Sequence, residues 1–448
     1  MKEGKMMAKL TFMGGIFPEE GKKMSQDKPI REVNPKGDLV FPLSQHMGAM
    51  AVPVVSVGEH VLQGQKIAEA DGELSAAVFS SVSGKIKSIE PRRVVSGEKV
   101  NSIIIENDNR YVSTGNQKVL PLEELKRNEI LHLIKEAGIS GMGGVGFPTH
   151  VKLSPKDPDK IYYVIVNGAE CEPYMTSDYR RMKEEPEKVL AGLKVLMKLF
   201  KHAKGIIAIE ENKDDLIRIF RELTRTSTKI SVRALKAKYP QGAEKQIIYA
   251  TTGRAINSTM QPQDAGCIVE NADTVMAIAD AVYEGTPLIY RTVTVTGEAI
   301  RHPQNFKVRI GMDYSELIDE AGGFIKKAAK IIVGGPLMGV SLFDTNVPVT
   351  KCSSGLLCLA KDDISRFEPT ACIRCGKCVE VCPSRIVPTQ LADFADHNNM
   401  QAFLKGNGME CCECGCCSYI CPAKKRLTQS IKSMRKMELE NRKKLEVY

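Results

Sequence analysis

The chain has 448 residues, 43% hydrophobic and 26% charged, with a formal net charge of +9. That balance describes a globular protein with several cores, and it excludes a small fold that disulfides must hold closed. Without tryptophan, and without basic stretches interleaved with aromatics, nucleic acid is not an expected partner. The longest apolar stretches, such as IIVGGPLMGVSLF at 331–343, are too short and glycine-rich to span a bilayer. MKEGKMMAKLTFMGGIFPEE at the N-terminus lacks an apolar segment followed by a small-residue cleavage site, so no signal peptide is expected. A cytosolic chain keeps its thiols reduced, and fourteen cysteines then point to metal or redox work.

In chain order, residues 1–37 form an N-terminal extension. Residues 38–108 read as short strands broken at Gly, Ser and Pro. VPVVSVGEHVLQGQKI and SSVSGKIKSI there resemble the biotinyl/lipoyl-type barrel-sandwich hybrid domain. A carrier of that type needs a lysine at a hairpin tip, and the expected tip, EADGELS at 69–75, has none. The domain is therefore read as structural or docking.

From about 121 the period changes. LEELKRNEILHLIKEAG is an amphipathic helix ending at Gly138, and KIYYVIVNG at 160–168 is a buried strand. Strands and helices then alternate to about 288, which predicts an α/β domain with a largely parallel sheet. Residues 290–345, with TVTVTGEAIRHPQNFKVRIGMDYSELIDEAGG, resemble the soluble-ligand-binding β-grasp domain, expected here as a connector. The next segment spans 346–423, and from 362 onward the chain reads as helical with cysteine-rich interruptions. Residues 424–448 carry nine Lys/Arg against three Asp/Glu and read as a basic tail.

The cysteine spacing is specific. CIRCGKCVEVCP at 372–383 is Cys-x-x-Cys-x-x-Cys-x-x-x-Cys-Pro, the bacterial ferredoxin spacing. The same template fits ECCECGCCSYICP at 410–422 in one register, Cys411, Cys414, Cys417 and Cys421, which leaves out Cys412 and Cys416. Zinc sites do not use this triple-plus-proline spacing. The template implies two 4Fe–4S clusters with crossed ligation. Cys372, Cys375 and Cys378 would share one with Cys421, and Cys411, Cys414 and Cys417 the other with Cys382. Cys171, Cys267, Cys352 and Cys358 read as small buried hydrophobes.

GISGMGGVGFPTHVKL at 138–153 has four glycines in six residues. A helix precedes it and Phe147-Pro148 follows, so it is not the ordinary dinucleotide loop, which lies between a strand and a helix. Such a loop lets backbone approach a flat or phosphorylated ligand. VNGAECEP at 166–173, YPQGAEKQ at 239–246 and IVENADT at 268–274 carry polar groups into the same α/β domain. Together these segments, over roughly 135–290, resemble the flavin-binding subunit of respiratory complex I.

The order of all four domains resembles the C subunit of the Rnf complex, a membrane-bound, ion-translocating NAD:ferredoxin oxidoreductase. That resemblance implies a Rossmann-like α/β domain holding FMN and receiving NADH, and an α-helical double ferredoxin domain. Gly141, Gly143, Lys152, Asn167, Glu170, Tyr239, Asn271 and Thr274 would surround FMN. Gly144, Phe147, Glu172 and Glu244 would lie on the NADH side, with Phe147 stacking on the nicotinamide. Lys152 and Glu244 are the candidate catalytic side chains. Ala169 and Ala243 depart from the complex I pattern, each replacing an acid. Hydride transfer from NADH to FMN, then single-electron steps through the two clusters, is the expected chemistry. The implied partners are the other subunits of a membrane-bound Rnf-type complex, with ferredoxin as the distal redox partner. The implied place is the cytoplasmic side of the cell membrane, held peripherally with no transmembrane span of its own. Two rival readings are a cobalamin reductase of bacterial microcompartments and a flavin-free electron-transfer adaptor.

Overall fold

The computed structural model describes residues 10–115, 119–144 and 146–446, with side chains described as far as Arg442. Residues 1–9 of the N-terminal extension, residues 447–448 of the tail and the side chains of Lys443 and Lys444 lie outside the described residues.

Residues 39–107 build two small antiparallel sheets. Leu39–Pro42, Lys99–Asn107, Gly84–Arg93 and His60–Val61 form one, and Val52–Pro53, Lys66–Glu69 and Val78–Phe79 the other. Inward residues Phe41, Ile67, Ile86, Ile103 and Ile105 fill the space between them. Gly84 is required, because a Cβ there would lie 2.1 Å from the Glu106 carbonyl oxygen across the hairpin. The tip at 69–75 docks instead of swinging free. The Leu74 carbonyl accepts from Ala49 N at 2.9 Å, and the Glu73 carbonyl lies 3.1 Å from His150 Nε2, just past the glycine loop.

The α/β region is an open sheet of four parallel strands. Its order is Ile230–Leu235, Lys204–Glu210, Tyr163–Gly168, Cys267–Asn271. Both faces are covered, which explains why the strands are near-continuous apolar runs. Val164, Val166, Ile207 and Ile209 pack with Val189, Leu193, Val275 and Ile278 of the helices Pro186–Lys198 and Ala272–Glu284. Ile165, Ile206, Ala208 and Val269 pack on the opposite face with Ile247 and Ile248 of Glu244–Thr252. The order reverses between Tyr163–Gly168 and Cys267–Asn271, and ligands in open α/β sheets bind beyond the strand ends at such a switch. The core below this sheet runs without a break into the sandwich core through Ile130 and Ile134 of the helix Arg127–Glu136.

A third sheet has six strands, in the order Arg31–Glu32, Gln304–Arg309, Tyr290–Thr296, Gly355–Leu359, Lys330–Val333, Val340–Leu342. It is wider than the 290–345 segment. It takes one strand from the N-terminal extension and another from beyond residue 345.

The cysteine-rich segment is helical. Leu427–Glu446 is a single helix, and its buried Leu427, Ile431 and Met434 pack on Ile386, Leu391 and Phe403. The stretch read as a solvated basic tail is therefore core in its first two turns. Charge alone hid this, because the apolar residues recur only every third or fourth position. Among the described residues, no helix is long and apolar enough to cross a membrane.

The helix pair on the sheet's inner face meets at a glycine. A Cβ on Gly192 would stand 2.0 Å from the Val275 carbonyl oxygen. Gly192→Ala is expected to lower stability by about 1–3 kcal/mol through overpacking. A denaturation midpoint that does not move would contradict this contact.

Candidate functional site: a glycine loop and two cysteine cavities

Asn167, next to last in Tyr163–Gly168, and Asn271, last in the edge strand Cys267–Asn271, are direct register partners at the switch point. Asn271 caps the helix Ala272–Glu284, its Oδ1 accepting from Asp273 N at 2.8 Å and Thr274 N at 3.4 Å. Its Nδ2 donates to Asp178 Oδ2 at 2.6 Å. Asn167 Nδ2 donates to the Gly242 carbonyl at 2.8 Å, which ties this strand end to the loop carrying Tyr239 and Glu244.

The glycine loop closes over these ends. Gly141 N donates to the Phe147 carbonyl at 2.8 Å, and Met142 N donates to Thr274 Oγ1 at 3.0 Å. Gly143 has φ +71°, and a Cβ there would sit 3.4 Å from Asn271 Nδ2. Gly143 and Gly144 are exposed, and nothing lies within 4 Å of a Cβ on Gly144. Gly146 faces the other way, where a Cβ would meet Cys352 Sγ at 2.6 Å. Phe147 is half-buried beside it.

Lys152 sits under the loop. Its ammonium donates to the Val269 carbonyl, pairs with Glu244 Oε1 at 2.9 Å and lies 3.8 Å from Glu270 Oε1. Burial works to lower the Lys152 pKa, but the Glu270 and Glu244 carboxylates outweigh it and the pKa is raised. Glu270, only 2% exposed, is pushed up to about 7 by burial.

Two predicted residues make contacts that differ from their expected roles. Glu172 accepts from Leu337 N at 3.2 Å and Met338 N at 2.9 Å, so its carboxylate already anchors a turn of the six-stranded region. Glu170 accepts from Asp178 N and Tyr179 N at the start of the helix Ser177–Glu184. Burial holds both pKa values near 7. Tyr239 is 1% exposed, and its hydroxyl donates to the Cys414 carbonyl at 2.8 Å, joining the strand-end loop directly to the cysteine module.

Several buried polar atoms of this region have no hydrogen-bond partner. They include Ser140 Oγ, Thr149 Oγ1, Gln246 Oε1, Glu270 Oε1 and both polar atoms of Gln241. Unpaired buried groups are rare in native structures, and here they fit a polar ligand at the strand ends. Gln241 and Glu270 escaped the sequence reading, because a Gln beside a glycine and a Glu inside a strand carry no motif.

Cys372, Cys375, Cys378 and Cys421 line one cavity. Cys382, Cys411, Cys414 and Cys417 line a second, and Cys412 and Cys416 line it as well. Among the described residues, no three Cys, His, Asp or Glu side chains converge on a single ion site. Each cavity is lined by at least four cysteine thiols, the number that a 4Fe–4S cluster takes.

The backbone repeats with the cysteines at an offset of 39 residues. Positive φ recurs at Arg374 and Glu413, at Gly376 and Gly415, and at Arg385 and Lys424. Arg374 N donates to Cys372 Sγ and Glu413 N to Cys411 Sγ, each at 3.4 Å. Thr389 and Thr428, separated by the same offset, each lie against a cysteine sulfur. In this repeat Cys412 aligns with Ile373 and Cys416 with Lys377, neither of them a sulfur position.

Comparison with known proteins gives the class first. Residues 134–280 match the Nuo51 FMN-binding domain and residues 366–387 a 4Fe-4S binding domain. Residues 10–110 match the RnfC barrel sandwich hybrid domain, and residues 292–341 the SLBB domain. The chain is 42% identical over 425 residues to the C subunit of the Na(+)-translocating ferredoxin:NAD(+) oxidoreductase complex of Acetobacterium woodii, covering 94% of this chain and 96% of that one. It is 43% identical over 385 residues to the C subunit of the proton-translocating ferredoxin:NAD(+) oxidoreductase complex of Clostridium ljungdahlii, covering 85% and 84%. It is 37% identical over 400 residues to the C subunit of the ion-translocating oxidoreductase complex of Haemophilus influenzae, covering 88% of this chain and 61% of that one. The chain belongs to the family of C subunits of ion-translocating ferredoxin:NAD oxidoreductase complexes.

Two outcomes are expected. Cys412→Ser and Cys416→Ser should retain full iron content while Cys382→Ser loses iron, and iron analysis with the reverse pattern would overturn the 39-residue register. Glu270, ordinarily near 4.5, is raised to about 7 in the fold. The folded state thus binds more protons in that window, and the Glu270 contribution to stability falls as pH rises from 4.5 to about 7. Glu270→Gln should flatten the fall in melting temperature over that range, and an unchanged slope would refute it.

Proposed function

We propose that this chain is the NADH-oxidising peripheral subunit of a membrane-bound complex of this family, holding FMN at the switch point and two 4Fe–4S clusters in its cysteine cavities. The observation that carries this reading is the pairing of Asn167 with Asn271 beneath a glycine loop, joined through Tyr239 to Cys414. FMN, when bound, takes electrons as a pair from a nicotinamide and releases them singly, the exchange that a cluster requires. The Rossmann-like reading of the α/β domain rests on its strand order and switch point, and the β-grasp reading on the match to the SLBB domain.

The chain's own residues position and do not exchange protons. Gly141, Gly143 and Gly144 let backbone N–H groups approach the ligand. Asn167, Asn271 and Thr274 fix the loop and strand ends as polar groups beside it. Lys152 supplies positive charge at the floor, with Glu244 and Glu270 holding it in place. Phe147 offers a ring for nicotinamide stacking. Glu172 and Glu170 fix the turns that border the nucleotide side. Cys372, Cys375, Cys378 and Cys421 would hold one cluster, and Cys411, Cys414, Cys417 and Cys382 the other. The remaining partners are the membrane subunits and ferredoxin at the far end of the complex. The chain lies on the cytoplasmic face, held there by those subunits.

Purified protein should show a flavin absorption band beside that of the clusters. In stopped-flow absorbance following both bands, Lys152→Ala should keep its clusters assembled and reducible by dithionite, yet slow their reduction by NADH. Cluster reduction at the normal rate in that variant would overturn the glycine loop as the entry point.

A further inference from the structure

The N-terminal segment places a buried cation under the strand-end loop. Lys22 belongs to the short turn Lys22–Met24 and is 6% exposed. Its ammonium donates to three backbone carbonyls of one loop, those of Glu170 at 2.9 Å, Glu172 at 2.9 Å and Met175 at 2.6 Å. An ammonium has three N–H donors and no acceptor, so Lys22 is saturated. A second buried cation, Lys213, takes the neighbouring Ala169 carbonyl at 2.6 Å. The loop needs such support, because Glu170 and Tyr174 have φ of +45° and +68°, conformations that side chains other than glycine rarely adopt.

The segment around Lys22 is shaped for this place. Gly21 has φ +59°, and a Cβ there would stand 2.5 Å from the Tyr174 ring. Tyr174 N donates to the Glu20 carbonyl at 2.7 Å, and Ser25 Oγ lies 2.7 Å from Thr176 Oγ1. Burial disfavours the charged form of Lys22 and the Glu170 carboxylate favours it, with the pKa lowered overall. Three carbonyls converge on its nitrogen, the number of donors that a protonated amine offers.

We infer that Lys22 is a positioning residue for the nucleotide site. It holds the 169–175 loop, and through it Glu172 and the end of the strand carrying Asn167, in the conformation that receives the dinucleotide. The inference rests on the proposed NADH reaction, so its test has one arm that needs no NADH. Lys22→Met keeps the length and apolar stem of the side chain and removes every donor.

Amide hydrogen exchange over residues 169–176, measured on the full chain without nucleotide, should speed up at least about tenfold, the equivalent of one charge-assisted hydrogen bond. Exchange in the strand Lys204–Glu210 should stay the same. In steady-state NADH oxidation with an artificial acceptor, KM for NADH should rise by more than kcat falls. Unchanged loop exchange would overturn the inference whatever the kinetics. Faster loop exchange with an unchanged KM would overturn it too, by showing that the loop does not serve the dinucleotide. Loss of flavin and iron together in Lys22→Met would show that Lys22 holds the whole fold, which also overturns it. If the wild-type protein fails to oxidise NADH, the proposed function fails, and the exchange arm still decides whether Lys22 holds the loop.

Discussion

Where two parts of this protein meet, backbone carbonyls leave water and must find donors. The chain answers repeatedly with a buried lysine. Lys351 donates to the Ala77 carbonyl of the sandwich and the Gly138 carbonyl at the foot of the glycine loop. Lys238 takes the Phe12 and Gly14 carbonyls of the N-terminal segment. Lys213 takes Ala169, and Lys152 takes Val269. One ammonium brings three separate donors to such carbonyls, where a backbone amide has a single N–H. The cost is desolvation, and it is visible: burial pulls Lys351 down to about 7 and Lys238 to about 8. Several polar joints around the glycine loop therefore rest on groups that are expensive to bury and more expensive to leave unpaired.

The same economy of contact governs the joint between the α/β region and the cysteine module. Ile16, Tyr239, Cys414 and Cys416 form one small buried cluster. Gly15 N donates to the Val381 carbonyl, while Ile16 and Tyr239 exchange backbone hydrogen bonds at 2.8 and 2.9 Å. A loop flanking the strand ends, the N-terminal segment and the wall of a cysteine cavity are thus fixed by neighbouring atoms and not by a linker. A path for single electrons gains from that rigidity, since its length cannot drift. It also means that the six-stranded region is not the only spacer between the two sites. Tyr239 spans the gap directly.

What could be read from the sequence was what is local along the chain. The cysteine register follows from spacings of two and three residues, and the backbone repeats with it. The glycine loop was legible because four small residues and a proline occur together. The parallel sheet was legible because its strands, covered on both faces, are long apolar runs. What was hidden depends on distant partners. Glu172 resembled a ligand-facing acid, yet it answers to backbone amides 165 and 166 positions away. Lys22 lies in a stretch with no motif, and its acceptors are about 150 positions on. The strands Arg31–Glu32 and Gly355–Leu359 are too short to announce a sheet that only tertiary pairing completes. The helix Leu427–Glu446 looked like a charged tail because lysines and arginines outnumber its few core residues.

The threading of residues 12–17 between modules has a consequence in time. Gly15 pairs with Val381, and Gly14 packs against the Cys382 carbonyl. This segment is made before the residues it docks on, and its seat is not complete until more than three hundred further residues have been made. At ~10 residues per second that wait is on the order of half a minute. Throughout it the side chain of Ile16, packed in the finished fold with Cys414 and Cys416, lacks its final seat. Docking of this segment is therefore a late event of maturation, tied to the same moment at which the second cysteine cavity gains its wall.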